Sequence, residues 1–465
     1  MRNARWLWVA LGMSALALAA GCGGSDESSG GAAAAGGASG AGAGGESASG
    51  GTPGSGGAGG ANTGGAAGSP STGGSAGAAG GAGTGGGAGA AGSAGASGGA
   101  GGASGAGGTG GAGGTGGAAG AGGGCGGGAT GTPVTSTGDD QWQWINVPGA
   151  KCRDGSATGF AINFHGASSE VMVFLEGGGA CFNTMTCMAN PSKFGQSEYN
   201  SWRNAGGKAG VFDRSKAANP VRDWNYVYIP YCTGDVHAGD NPGGKPSGGT
   251  AQQFVGYTNV GSYLKRIVPS FPSATRVLLT GVSAGGFGAA ANYDQVQRAF
   301  GCTPVDLIDD SGPPMSGQYL ETCLQDQFRQ LWGLDKTILK DCGADCPTHD
   351  DYLLDYVGHL AKTHSTRTQG LIESTEDSVI RTFFGYGAND CNTLFGNMPA
   401  ADFAAGLTDA RSKLQANASF GSFLFGGTDH TSLGGSAFYT RTVGGVALTK
   451  WVSDQLAGKP SHVGP

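Results

Sequence analysis

Residues 276–294 read RVLLTGVSAGGFGAAANYD. An apolar run ends at Gly281-Val282-Ser283-Ala284-Gly285 and passes at once into small, helix-compatible residues. The order predicts a strand, a tight turn and a helix. Gly-x-Ser-x-Gly at such a junction is the pattern of a nucleophile elbow. Gly281 and Gly285 would let strand and helix backbones pass closely, and Ser283 would be pushed into the open. The plainer alternative is a packing turn with an incidental serine, because the pattern recurs by chance in a Gly-rich chain.

A serine hydroxyl becomes a useful nucleophile only when a base takes its proton. On a sheet of this kind the partners follow in the order Ser, then Asp or Glu, then His. Of the seven histidines, His165 and His237 precede Ser283, His349, His359 and His364 lie in a polar stretch, and His462 is in the terminal tail. His430, in FLFGGTDHTSLGG, follows an apolar run and sits in a glycine-rich loop, so it is the expected base. The acid is expected at Asp390, at the end of RTFFGYGAND read as a strand, with Asp310 (or its neighbour Asp309) as the rival. Asp429, next to His430, is expected to point elsewhere. Developing negative charge on an acyl carbonyl also needs donors. The LEGGGACFN stretch offers the amides of Gly178 and Gly179, and Ala284, just after the nucleophile, offers a third.

Around this centre, GFAINFH, VMVFLEGGG, WNYVYIPYC, RVLLTG, PVDLIDDSG, RTFFGYGAND and SFLFGG read as strands. GYTNVGSYLKRIVPSF, GGFGAAANYDQVQRAF and SAFYTRTVGGVALTKWVSDQLAG read as helices. Near-continuous apolar strands alternating with helices imply an α/β fold, a mostly parallel sheet covered on both faces. Sites in such sheets form beyond the carboxyl ends of the strands.

The region before this part has a different composition. Much of the chain's complement of 99 glycines lies between Gly21 and Gly131, and no Asp, Glu, Lys or Arg occurs between Glu46 and Asp139. With little apolar surface to bury, that segment is expected to be a disordered Gly/Ala/Ser tether reaching about 55–60 Å. Arg2 and Arg5, the apolar run WLWVALGMSALALAA and the small-residue ending LALAAGC have the form of an export signal. The ending resembles a bacterial lipoprotein signal, which would make Cys22 the lipidated first residue of the mature protein. The expected organisation is a signal over 1–21, a lipidated linker over 22–134 and a catalytic domain over 135–465. The expected location is a membrane-anchored protein facing the periplasm or the cell surface, with the membrane reached through the lipid anchor only.

Ten cysteines remain beyond Cys22, an even number that reads as disulfides in an exported chain. Cys181/Cys187 and Cys342/Cys346 are spaced to staple loops. The latter pair with His349 is a weak alternative zinc set. From Asp139 onward, 24 basic residues face 30 acidic ones, which argues against nucleic acid as a partner.

KCRDGSATGF, VFLEGGGACFN, VYIPYCTGD, GVSAGGFGAAANYD and DDSGPP stand in the order and near the spacing found in one family. The chain resembles the pectin acetylesterase and Notum carboxylesterase family from about Lys151 to Leu433, most strongly through Asp294. The resemblance implies an α/β-hydrolase fold, Ser283, Asp390 and His430 as a triad, and the Gly178, Gly179 and Ala284 amides as oxyanion hole. No metal or organic cofactor is implied. Family members commonly carry a large aromatic where this chain has Gly179 or Ala180, so the acyl pocket is where the resemblance says least. The leading expectation is a serine esterase that deacetylates a polysaccharide such as pectin. The alternatives are a lipid-type carboxylesterase on longer acyl esters and a non-catalytic surface binding module. Trp142 and Trp144 could stack on sugars, though packing in the core is the commoner use of such a pair.

Overall fold

The apolar strands carry a period of two that sends their side chains to opposite faces of one sheet. Val171, Val173 and Leu175 join one buried cluster, and Met172 and Phe174 join the other. The same division separates Val227 and Ile229 from Tyr226 and Tyr228, and Val277 and Leu279 from Leu278. Burial on both faces is why these segments read as almost unbroken apolar runs.

The computed structural model describes residues 131–465 apart from 167, 347–349 and 394. The signal over 1–21, Cys22 and almost all of the linker lie outside the described residues. Val134, assigned to the linker from the sequence, is buried, and its amide donates to Ser270 Oγ at 2.7 Å.

The main sheet has nine strands. They are β1 (Trp142–Lys151), β2 (Ala157–Asn163), β3 (Glu170–Leu175), β4 (Asn225–Ile229), β5 (Arg276–Val282), β6 (Val305–Asp310), β7 (Gln369–Ser374), β8 (Phe420–Phe425) and β9 (His462–Val463). Their spatial order is β1-β2-β4-β3-β5-β6-β7-β8-β9. The β1–β2 and β2–β4 pairs are antiparallel, and every pairing from β4 onward is parallel. Helices α1 (Gly256–Ser270), α2 (Ala284–Phe300), α3 (Thr322–Trp332), α4 (Tyr352–Thr363), α5 (Ser378–Phe384), α6 (Ala400–Leu414) and α7 (Leu448–Leu456) cover the two faces. This is the mostly parallel α/β sheet, covered on both faces, that the alternation of the sequence implies.

Two segments depart from the sequence reading. RTFFGYGAND is not a strand: Ser378–Phe384 is helix and Gly385–Gly387 a single 3₁₀ turn. The strand that precedes it is QGLIES, Gln369–Ser374, fully buried between β6 and β8. The long helix read over SAFYTRTVGGVALTKWVSDQLAG is broken, with a small ribbon pairing Thr442–Val443 to Val446–Ala447 before α7.

Among the described residues, disulfides join Cys152 to Cys232, Cys181 to Cys187, Cys323 to Cys391 and Cys342 to Cys346, and Cys302 is disulfide-bonded as well. Cys342 and Cys346 are therefore not free thiolates for a metal, and the bridges are those of an exported protein. Among the described residues no helix is long and apolar enough to cross a membrane. Trp142 and Trp144 pack at the β1 edge. Trp142 meets Trp202 at 4.8 Å and Phe212 at 5.4 Å, and Trp144 lies 5.5 Å from Tyr199.

Candidate active site

Five loops leave the carboxyl ends of β3, β5, β6, β7 and β8 and meet at one edge. At the end of β5, Ser283 takes φ 58° and ψ −124°, a backbone state that non-glycine residues rarely adopt. The two flanking glycines make this turn possible. A Cβ on Gly281 would lie 2.1 Å from the Gly285 carbonyl oxygen, and one on Gly285 would lie 2.0 Å from that of Leu175. Ser283 stands immediately before α2, whose first amide is that of Ala284. First-turn amides have no acceptor within a helix and are free for a ligand.

The strand β6 ends at Asp310, which holds two parts of the edge together. Its carbonyl accepts the Ser283 amide at 2.7 Å. Its carboxylate accepts the amides of Ser432 and Leu433 at 2.7 and 2.6 Å. The next residue, Ser311, receives the Thr431 amide on its Oγ at 3.1 Å. The turn that carries His430 is thus fastened to the residue that also fixes the nucleophile's backbone. Burial pushes the Asp310 carboxyl up to about 6, against the lowering effect of those two amides.

His430 Nδ1 lies 2.7 Å from Asp377 Oδ2. A carboxylate oxygen accepts, so Nδ1 carries the proton and Nε2 keeps its lone pair. Asp377 is fully buried, and its Oδ1 accepts the Val379 and Ile380 amides at 2.8 and 2.9 Å as the N-cap of α5. Those bonds lock the carboxylate before it meets the ring.

The acid expected at Asp390 is therefore corrected to Asp377. Asp390 is exposed at φ 55°, on a turn tied down by the neighbouring Cys323–Cys391 bridge, and is not brought to His430. The reason is the misread strand: with β7 at Gln369–Ser374, the loop leaving its carboxyl end starts at Thr375. The signal that could have found Asp377 is local. An aspartate following a short strand and preceding SVIRTFF is an N-cap pattern. Asp310, the rival acid, grips the histidine's loop backbone rather than its ring. Asp429 points elsewhere, 3.2 Å from Arg441.

The glycine loop after β3 crosses the elbow. A Cβ on Gly177 would sit 2.9 Å from that of Ser283. Asn190 Nδ2 donates to the Gly178 carbonyl at 2.6 Å, and the Tyr231 hydroxyl donates to the Gly179 carbonyl at 2.8 Å. In a trans peptide the amide points opposite the carbonyl. Those bonds therefore aim the Gly179 and Ala180 N–H groups away from Asn190 and Tyr231. Gly179, Ala180, Ser283 and Ala284 all line one cavity, whereas Gly178 does not. The Ala180 amide is a candidate donor that the sequence reading did not name. Glu176 turns away, as expected of a carboxylate near a site for negative charge. It accepts the Tyr231 amide at 2.9 Å, and burial pushes it up to about 7. His237 Nε2 faces the Glu176 carbonyl at 2.9 Å and is buried as a brace for this loop.

The cavity runs along α2. It holds about 80 Å³ and its walls are almost wholly apolar, including Phe287, Ala291, Trp332, Tyr356 and Phe383. Ala284 and Ala291 lie seven positions apart on the helix with Phe287 between them, so the lined path is about 10 Å long.

Residues 143–350 match the sequence model of the family described as Pectinacetylesterase. Over these residues the chain is similar to that family. Among curated proteins, it is 31% identical over 168 residues to palmitoleoyl-protein carboxylesterase notum1 of Xenopus laevis, covering 35% of this chain and 32% of that protein. It is 30% identical over 168 residues to palmitoleoyl-protein carboxylesterase NOTUM of Mus musculus, covering 35% and 31%. The matches thus span about a third of the curated relatives' length. Among solved structures, that of the Wnt deacylase Notum from Drosophila aligns with a TM-score of 0.49 and 19% identity, over 68% of this chain and 93% of that one. The pectinacetylesterase segment ends before β7, so Asp377 and His430 lie beyond the matched residues.

Proposed function

We propose that the protein is a serine carboxylic-ester hydrolase whose triad is Ser283, His430 and Asp377. The observation that carries this reading is the shared anchorage at Asp310, which receives the nucleophile's amide and two amides just after the base. The family match to the segment containing the elbow supports it. The Ser283 hydroxyl attacks the ester carbonyl while His430 takes its proton, and Asp377 stabilises the imidazolium. The Gly179, Ala180 and Ala284 amides hold the oxyanion. His430 returns the proton to the leaving alcohol, then activates a water that hydrolyses the acyl-serine. No step calls on a metal or organic cofactor.

The cavity favours acyl groups longer than acetyl. An acetyl group would leave most of the apolar path beside α2 unfilled, whereas an alkyl chain would bury itself there. That observation raises the lipid-type esterase above the polysaccharide deacetylase of the sequence reading. Removal of acetyl groups from an acylated carbohydrate stays as the second reading, supported by the family's description. In the same proposal the enzyme acts outside the cytoplasm, held at a membrane by lipid on Cys22.

The test is hydrolysis of p-nitrophenyl acetate, butyrate and octanoate by the purified full-length protein, with fluorophosphonate labelling. We expect labelling at Ser283, higher kcat/KM for octanoate than for acetate, and loss of both signals in Ser283→Ala. Equal behaviour of wild type and Ser283→Ala sinks the esterase reading. A preference for acetate, together with release of acetate from pectin, favours the deacetylase.

A further inference from the structure

We propose that Glu373 is a positioning residue: a neutral carboxylic acid that donates a hydrogen bond to Asp377 and limits how strongly Asp377 holds His430. The inference rests on the triad proposed above. Glu373 lies at the end of β7 and is fully buried. Its Oε1 accepts the Ser374 amide at 2.7 Å, and its Oε2 is buried with no conventional donor in reach. The turn that leaves β7 folds back here, the Asp377 amide donating to the Ser374 carbonyl at 3.5 Å, and the Asp377 carboxyl is the group that interacts with the Glu373 carboxyl. Two carboxylates in contact in a dry site do not both ionise, and a proton between them satisfies the orphaned oxygen.

The donor count decides which of the two keeps the proton. Asp377 accepts two helix amides and the His430 Nδ1–H, whereas Glu373 accepts one amide. The better-solvated carboxylate is Asp377, so the proton resides on Glu373. The other charged group facing it is Asp310 on β6, a second acidic neighbour that opposes ionisation, and its register partner on β8 is Leu424. Burial and then the Asp377 charge push Glu373 well above the usual carboxylate range, in the same direction.

A donated hydrogen bond draws charge away from Asp377, so the imidazolium is held less tightly and His430 remains a usable base at lower pH. The experiment compares the pH profile of kcat/KM for wild type, Glu373→Gln and Glu373→Leu on p-nitrophenyl butyrate. Glutamine keeps a neutral donor, so its acid limb should coincide with wild type and its kcat should lie within about twofold. Leucine removes the donor, so the limb should move to higher pH. A limb that moves to lower pH in Glu373→Gln would show an ionised Glu373 and overturn the proposal. Identical profiles for Gln and Leu, both unlike wild type, would overturn it too. A second readout does not depend on esterase activity. The infrared spectrum of wild type minus Glu373→Gln at neutral pH should contain a protonated carboxyl C=O band, and its absence rejects the idea even where hydrolysis fails. If Glu373→Gln does not fold, Asp377→Asn serves instead. There the carboxyl band of Glu373 should disappear at lower pH than in wild type, and an unchanged band overturns the claim.

Discussion

Asp377 and Asp390 lie 13 positions apart, and one rate measurement separates them. Asp377→Asn leaves His430 without the acceptor that fixes its tautomer, so kcat should fall about 10⁴-fold. Asp390→Asn changes an exposed turn residue and should stay within about twofold of wild type. Glu176 gives a second prediction, in stability rather than rate. Although part of the residue reaches solvent, its carboxyl is enclosed, and burial lifts it from the ordinary glutamate range to about 7. The folded state therefore keeps a proton that the unfolded chain has released. Its contribution is full below the unfolded value and is lost as pH rises toward about 7, on the order of 3 kcal/mol in all. Urea midpoints measured from pH 4.5 to 8 should decline over that window. In Glu176→Gln the decline should be shallower.

At the scale of elements, the strands and helices around Ser283 could be read directly because two signals agreed there. An apolar run long enough for a buried strand met glycines at both positions where backbones touch. The histidine was legible for a related reason, since Phe420–Phe425 is wholly buried and ends in a glycine pair. The acid was not legible. Gln369–Ser374 mixes three polar residues into six buried positions, and two of them, Glu373 and Ser374, stand at the strand's carboxyl end, where the Ser374 hydroxyl donates to the Gly427 carbonyl. The neighbouring RTFFGYGAND carries aromatics that suit a strand but line the cavity and the core beside it from a helix. Polarity hid one element, and aromatic cavity lining imitated another. The helix α2 offers the matching test of substrate size. Ala291→Phe fills the cavity a full two turns from the nucleophile, so kcat/KM for octanoate should drop about tenfold or more. Acetate hydrolysis should stay within about threefold, and competition between the two p-nitrophenyl esters measures both at once.

For the whole molecule, the disulfides differ in what they can contribute. The Cys152–Cys232 bridge closes a separation of 80 residues and Cys342–Cys346 one of 4. In the chain-entropy account these correspond to about 4.5 and about 2 kcal/mol. The Cys152→Ser/Cys232→Ser double variant should therefore lose about twice as much unfolding free energy as Cys342→Ser/Cys346→Ser, read from urea midpoints at constant slope. The joint anchorage at Asp310 has a consequence for how such a protein is dissected. A side-chain substitution there frees the His430 turn while the backbone carbonyl still holds the nucleophile's amide, so an alanine scan would score Asp310 alongside the triad although it meets no substrate. Pairwise cycles with Ser283 or His430 would return strongly non-additive values, and a census of reactive groups drawn from lost turnover alone would overcount them by one.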